Sequence, residues 1–280
     1  MINVNDVSFQ YKGSKTRALD GLTLTIPDGD FVGIIGTSGA GKTTLALALA
    51  GIVPQEFKGD FYGSVLVDGD DTVDHAVDHF SRKIGEVFQD IDSQMVASVV
   101  EDEILFGLEN YGIPHSEIGA RLDRVLAELG ITDLREREIA SLSGGQKQKV
   151  AIAAILALEP GIIVLDEPTG ELDPESSREI FELLRRLNEE KGITIVIIEQ
   201  KIKLLSEYVK HMVVLDQGRL QFDGRPREVI TNIAAFKRLG INVPPVAELA
   251  GRLMEAGLWQ GEIPLSIDAA EAMVREVLAG

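Results

Sequence analysis

Residues 36–43, Gly-Thr-Ser-Gly-Ala-Gly-Lys-Thr, constrain what this chain can fold into more than any other stretch. They spell G-x-x-x-x-G-K-T between an apolar run, Phe31 to Ile35, and a second one, Thr44 to Leu49. That context predicts a strand, a tight loop and a helix. Glycines at Gly36, Gly39 and Gly41 let the backbone N–H groups of Thr37, Ser38 and Ala40 turn inward around a phosphate. The helix N-terminus adds partial positive charge. Lys42 reaches the phosphates as a point charge, and Thr43 offers a hydroxyl to Mg2+. The competing reading is an ordinary glycine turn before a core helix; the spacing and both flanks favour the phosphate loop.

The charge balance narrows the partners. A net charge of −18 and an isoelectric point near 4.6 leave no basic footprint for a nucleic-acid backbone, so no nucleic acid is expected. The absence of cysteine excludes disulfides, thiolate nucleophiles and cysteine zinc sites. No apolar run approaches the roughly 20 residues of a spanning helix. The longest, Val150 to Leu158, predicts a buried helix. The first residues, MINVNDVSFQY, alternate like a strand and lack the apolar region of a signal peptide. The expectation is a soluble chain whose membrane role comes through a partner.

Periodicity sets the architecture. Ile2, Val4, Val7 and Phe9 predict an edge or hairpin strand over residues 2–11. Leu22, Leu24 and Ile26 repeat the pattern before the Pro27-Asp28-Gly29 turn. Phe61 to Val67 gives a third strand of a small antiparallel sheet. Residues 117–129 carry Ile118, Leu122, Val125, Leu126 and Leu129 on one helical face, with Gly130 as the stop. Ile162 to Leu165 and Ile193 to Ile198 are continuous apolar runs, the mark of parallel strands buried on both faces. Between them, Asp173-Pro174 starts a helix that buries Ile180, Phe181, Leu184 and Leu187. Met212 to Leu215 and Arg219 to Phe222 flank a hairpin. Strands alternating with helices predict a parallel α/β core, interrupted by a helical subdomain at about 91–158. The expected domains are 1–225 and an appendage, 226–280, with helices at about 246–256 and 268–278.

Two more stretches carry chemistry. The strand Ile162 to Asp166 ends in adjacent carboxylates: Asp166 can organise a Mg2+ water shell, and Glu167 can act as general base toward water. Leu142-Ser143-Gly144-Gly145-Gln146 stands before a helix and offers a second anion-binding helix end. Two such ends for one nucleotide require a geometric explanation.

In order and spacing, Gly36–Thr43, Gln89, Leu142–Gln146, Ile162–Glu167 and Leu172-Asp173 resemble the nucleotide-binding domain of ABC transporters, over roughly residues 2–225. The resemblance implies a P-loop NTPase (ABC ATPase) core with an antiparallel β subdomain, a helical subdomain and a small helical C-terminal appendage. It implies ATP hydrolysis with ATP and Mg2+ as cofactors. Lys42 and the loop of Gly36, Thr37, Ser38, Gly39, Ala40, Gly41, Thr43 and Thr44 would hold the phosphates. Thr43, Gln89 and Asp166 would meet the metal, and Glu167 would be the catalytic base. Ser143, Gly144, Gly145 and Gln146 would contact ATP bound to the opposite subunit, with Asp173 at the seam. Tyr11 would stack on adenine. Two subunits, identical or different, would sandwich two ATPs head to tail.

One position departs from the family. A histidine usually follows the strand at 193–198; here Gln200 stands in its place. An amide can donate to a γ-phosphate but cannot carry a proton. The expectation is slow turnover of ATP bound by this subunit, as in the weaker member of a heterodimer; the alternative is that Gln200 works with an intact Glu167. Asp92, Gln94, Val99, Glu101 and Phe106, with the C-terminal stretch Leu239 to Leu249, look like the energy-coupling factor (ECF), or cobalt-importer, ATPases. That likeness implies a peripheral subunit on the cytoplasmic face of the cell membrane, powering import of vitamins or transition-metal ions. It would bind an integral-membrane scaffold through coupling helices, and a substrate-capture subunit indirectly. Met95, Val96, Val99 and Val100 are the expected groove lining. The alternatives are a non-transport ABC ATPase acting as a dimerising switch, and a phosphate-loop kinase, in which LSGGQ has no evident job. His75 and His79, with Asp71, Asp74 and Asp78 near, could clasp a metal if helical; a solvated acidic loop is the plainer reading.

Overall fold

The computed structural model describes residues 1–279. Two sheets share the chain. The antiparallel one contains β1 (Ile2–Tyr11), β2 (Leu19–Ile26), β4 (Gly59–Val67) and β5 (Asp70–Asp71), in the order β2-β1-β4-β5. The mixed one contains β3 (Phe31–Gly36), β6 (Ile84–Val87), β7 (Ile162–Asp166), β8 (Thr194–Ile198), β9 (His211–Asp216) and β10 (Arg219–Gly224), in the order β10-β9-β3-β8-β7-β6. All its pairings are parallel except that of β10 with β9. Every residue of β7 and β8 is buried, as their unbroken apolar runs require.

The helices are α1 (Lys42–Leu49), α2 (Val77–Ser81), α3 (Ile91–Gln94), α4 (Val100–Asn110), α5 (His115–Leu129), α6 (Gly144–Leu156), α7 (Pro174–Lys191), α8 (Ile202–Tyr208), α9 (Pro226–Ile230), α10 (Ile233–Arg238), α11 (Pro245–Glu255) and α12 (Ile267–Ala279). Asp173 caps α7 by accepting from the backbone N–H groups of Glu175 and Ser176, with Pro174 at its first position. Helices α3 to α6 form the predicted helical insertion. Its last helix also packs on the sheet: a Cβ added at Gly85 of β6 would lie 3.0 Å from Ile155 Cβ.

The structure corrects one expectation and extends another. Of the two readings of β1, the hairpin strand holds and the edge does not: it pairs antiparallel with β2, the next strand in the chain, on one side and with β4 on the other. Its alternation breaks where the register shifts between Asn5 and Ser8, and Asp6 adopts φ +49°. That bulge buries Val7, Ser8 and Phe9 in succession. In the 226–280 segment, Phe236, Ala247, Ala250, Ile263 and Met273 join the main hydrophobic core rather than building a second one.

Candidate functional site

Parallel pairing decides the site. Strands β3, β6, β7 and β8 all end at one edge of the sheet, so the segments after Gly36, Val87, Asp166 and Ile198 converge there. Two glycines of the phosphate loop have no room for a side chain. A Cβ at Gly36 would lie 2.4 Å from the Leu215 carbonyl oxygen. One at Gly41, where φ is +99°, would lie 2.3 Å from the Ala18 carbonyl oxygen. Lys42 is buried and donates to the Gly36 and Thr37 carbonyls at 3.0 Å each. Thr43 donates to Asp166 Oδ2 at 2.6 Å. A hydroxyl paired with a buried carboxylate at a strand end is the donor set a hard divalent cation takes.

Burial pushes the Asp166 carboxyl above the usual range, against the Thr43 hydrogen bond that lowers it. Glu86 on β6, missed in the sequence, is pushed up to about 8 by burial and by the nearby Asp166 charge. A lone carboxyl inside the apolar stretch Ile84 to Val87 was its only signal.

Glu167 sits at φ +49°, a left-handed conformation that costs a non-glycine residue energy and holds its side chain at the sheet edge. Gln200 Nε2 donates to its Oε1 at 2.8 Å, and Gln89 Nε2 to its Oε2 at 3.3 Å. The residues beside Gln200 are tied to the same segment. Buried Glu199 accepts from the Thr169 backbone N–H at 2.9 Å and from its hydroxyl. Lys201 Nζ donates to the carbonyls of Thr169 (2.6 Å) and Leu172 (3.0 Å) and to Ser177 Oγ (2.7 Å). Neither neighbour was singled out in the sequence, since an alternation of charge after a strand is common.

Ser143 caps α6 through a reciprocal box: its hydroxyl accepts from Gln146 N–H, and Gln146 Oε1 accepts from Ser143 N–H. Gln146 is thereby committed locally. A Cβ at Gly144 would lie 3.0 Å from Leu172, and one at Gly145 3.3 Å from Ser176, so this helix end abuts the start of α7. Among the described residues, no hydrogen bond joins Ser143, Gly144 or Gly145 to the 36–44 loop. A cleft of about 620 Å³ opens between Gln89, Leu142, Gly144, Glu167 and Leu172.

Tyr11 lies beside the loop. Its hydroxyl shares a hydrogen bond with buried Thr44 Oγ1 at 3.1 Å, and its ring meets Phe9 and Phe57 edge-on. Gly240 of the C-terminal segment comes close enough that a Cβ would lie 3.9 Å from Thr37 Cγ2. The expected groove is altered: Met95 lines a 400 Å³ cleft with Ala97, Ser98, Glu138 and Ile139. Val96 is exposed, Val99 bridges to Glu138, and Val100 is core.

Residues 19–170 match the sequence profile of the family described as ABC transporter. The chain is 38% identical to the energy-coupling factor transporter ATP-binding protein EcfA1 of Clostridioides difficile (strain 630) over 272 residues, 96% of each chain. A solved structure of cbiO1 from Clostridium perfringens, described as part of the ABC transporter complex cbiONQ, is similar at TM-score 0.76 and 33% identity, covering 91% of this chain and 98% of that one. A dimeric ATP-binding cassette in a post-hydrolysis state, bound to ADP and Pi, is similar at TM-score 0.70 and 29% identity, covering 81% of this chain and 99% of that one.

Proposed function

Because the chain belongs to the ABC transporter family and is an ATP-hydrolysing transporter subunit, we propose that it powers an ECF-type importer of vitamins or transition-metal ions. The end-to-end likeness to EcfA1 and cbiO1 supports that type. The observation that carries the reading is the meeting of Thr43, Asp166, Glu167, Gln89 and Gln200 at one sheet edge.

In this reading, Lys42 and the backbone amides of residues 37–44 hold the ATP phosphates. Thr43, Asp166 and Gln89 hold Mg2+. When bound, Mg2+ supplies charge neutralisation at the phosphate oxygens. Glu167 takes the proton from the attacking water, and Gln200 holds its other oxygen. Tyr11 packs beside adenine. Ser143, Gly144 and Gly145 serve the nucleotide of a second ATPase subunit, identical or different; that no described hydrogen bond joins them to this chain's own loop supports this. Asp173 lies at that seam. ATP then favours the closed pair, and hydrolysis releases it.

Gln89 links the site to the cleft beside Met95, where a coupling helix of an integral-membrane scaffold would dock. The substrate-capture subunit is engaged indirectly. No described helix is long and apolar enough to cross a membrane; in this reading the chain is a peripheral subunit on the cytoplasmic face. Residues 226–280 act as the appended domain.

Co-expression with the membrane proteins encoded beside it, followed by detergent purification, tests the reading. A stoichiometric integral-membrane subunit should be retained. Asp90→Lys with Met95→Glu should release it while leaving ATP affinity intact. A soluble ATPase with no such subunit, or equal loss of both properties in the variant, would overturn it.

A further inference from the structure

We propose that Asp70, His75 and His79 form a binding site for one divalent transition-metal ion, separate from the nucleotide edge. The sequence pointed to Asp71, Asp74 and Asp78 as carboxylate neighbours; the fold supplies Asp70 instead. It stands on β5 after the Asp68-Gly69 turn and faces the imidazoles from across the loop. Helix α2 carries only His79, and His75 precedes it.

One donor atom from each of the three side chains lies within 4.8 Å of the other two. A first-row metal with ligand bonds of about 2.0–2.2 Å needs donor separations of about 3.0–3.5 Å. From the 4.8 Å limit, a contraction of at most about 1.3–1.8 Å by side-chain rotation at this partly exposed site closes the set.

The tautomer of His75 is already that of a ligand. Its Nδ1 lies 3.1 Å from the Asp71 carbonyl oxygen. A carbonyl only accepts, so Nδ1 carries the hydrogen and Nε2 presents its lone pair. An imidazole whose other nitrogen is tied to a carbonyl is the usual outer support of a metal-bound histidine. His79 Nε2 lies 2.8 Å from Asp70 Oδ2; a carboxylate only accepts, so Nε2 carries a hydrogen here, and an ion bound between the two takes that hydrogen's place, the proton moving to Nδ1 or to solvent. The two rings stack at 4.5 Å with 23° between planes, an arrangement that suits neutral imidazoles and opposes two cationic ones.

The loop is held in this shape by its own side chains and neighbours. Gln55 Nε2 donates to the carbonyls of Thr72, Val73 and His75 at 3.1–3.3 Å. Asp71 Oδ1 accepts from Val73 N–H. Buried Phe80 lies beneath both rings at 84–87°. Two imidazoles and one carboxylate select Zn2+, Co2+ or Ni2+ over Mg2+ or Ca2+, which require oxygen. Lys83 Nζ, 2.6 Å from Asp70 Oδ2, supplies the cation that the carboxylate otherwise holds. The ion and the ammonium therefore compete for Asp70.

Equilibrium dialysis of the chelator-treated full chain against Zn2+, and the visible spectrum of its Co2+ complex, test the site. One ion per chain is expected. His75→Ala and His79→Ala should each weaken binding by ~10-fold or more. Lys83→Ala should strengthen it several-fold by removing the competitor. His115→Ala and His211→Ala, the remaining histidines, should leave it unchanged. ATP binding by each variant reports on folding. Absence of saturable binding, equal binding by the His75→Ala/His79→Ala double variant, or weaker binding by Lys83→Ala would overturn the proposal.

Discussion

Gln200 Nε2 donates to Glu167 Oε1 at 2.8 Å, so a neutral amide occupies one oxygen of the proposed base, at the position where the family resemblance predicts an imidazole. Glutamine holds geometry but moves no proton. Gln200→His should raise the ATPase rate of the assembled transporter, and Glu167→Gln should lower it by ~10²–10⁴-fold, the range for a positioned general base. No gain on Gln200→His in a single-turnover assay would mean that glutamine already serves fully.

Lys201 should control the segment after Glu167 rather than ATP affinity. Lys201→Met removes donors to Thr169, Leu172 and Ser177. Each lost charge-assisted bond costs about 1–3 kcal/mol. Amide exchange in residues 168–173 should accelerate and kcat should fall, with KM for ATP nearly unchanged. Unchanged exchange would remove the basis for a clamp.

Gly36→Ala should weaken both fold and nucleotide binding. The added methyl meets the Leu215 carbonyl at 2.4 Å, a backbone clash that costs about 1–3 kcal/mol. Thermal unfolding should show the loss without nucleotide, and a fluorescent ATP analogue should bind more weakly. Gly39→Ala adds a methyl into open space, so its penalty is left to the backbone φ alone.

Stability should fall with alkali through two separable groups. His211 is pushed up to about 9, chiefly by its hydrogen bond to Asp30 and also by Asp223. A folded value above the unfolded one means that the native state binds more protons. This stabilisation is full below about 6.5 and is lost as pH rises through about 9; with partial exposure it is worth about 1–2 kcal/mol. His211→Gln should flatten that limb of a Tm-against-pH curve. Glu86, raised to about 8 by burial, follows the same sign over a lower window, above about 4.5, and Glu86→Gln should flatten only that part. Unaltered curves for both variants would contradict these assignments.

The sequence by itself determined the local grammar. The phosphate loop, the apolar strands at 162–165 and 193–198, the Asp173-Pro174 helix start and the helix over 117–129 follow from spacing, caps and periodicity, all of which act within a few residues. Tertiary structure decided what stands next to what. The bulge at Asp6 and the partners of β1 depend on pairing with β4, dozens of residues away. Glu86 is raised by burial and, after it, by its placement near Asp166 on a neighbouring strand. Glu199 and Lys201 gain meaning only because β8 lies beside β7 and their backbones end together. Asp70 meets His75 and His79 because a turn folds the chain back on itself. Periodicity records which face of an element is buried, but the neighbours on that face come from chain segments that local patterns do not name.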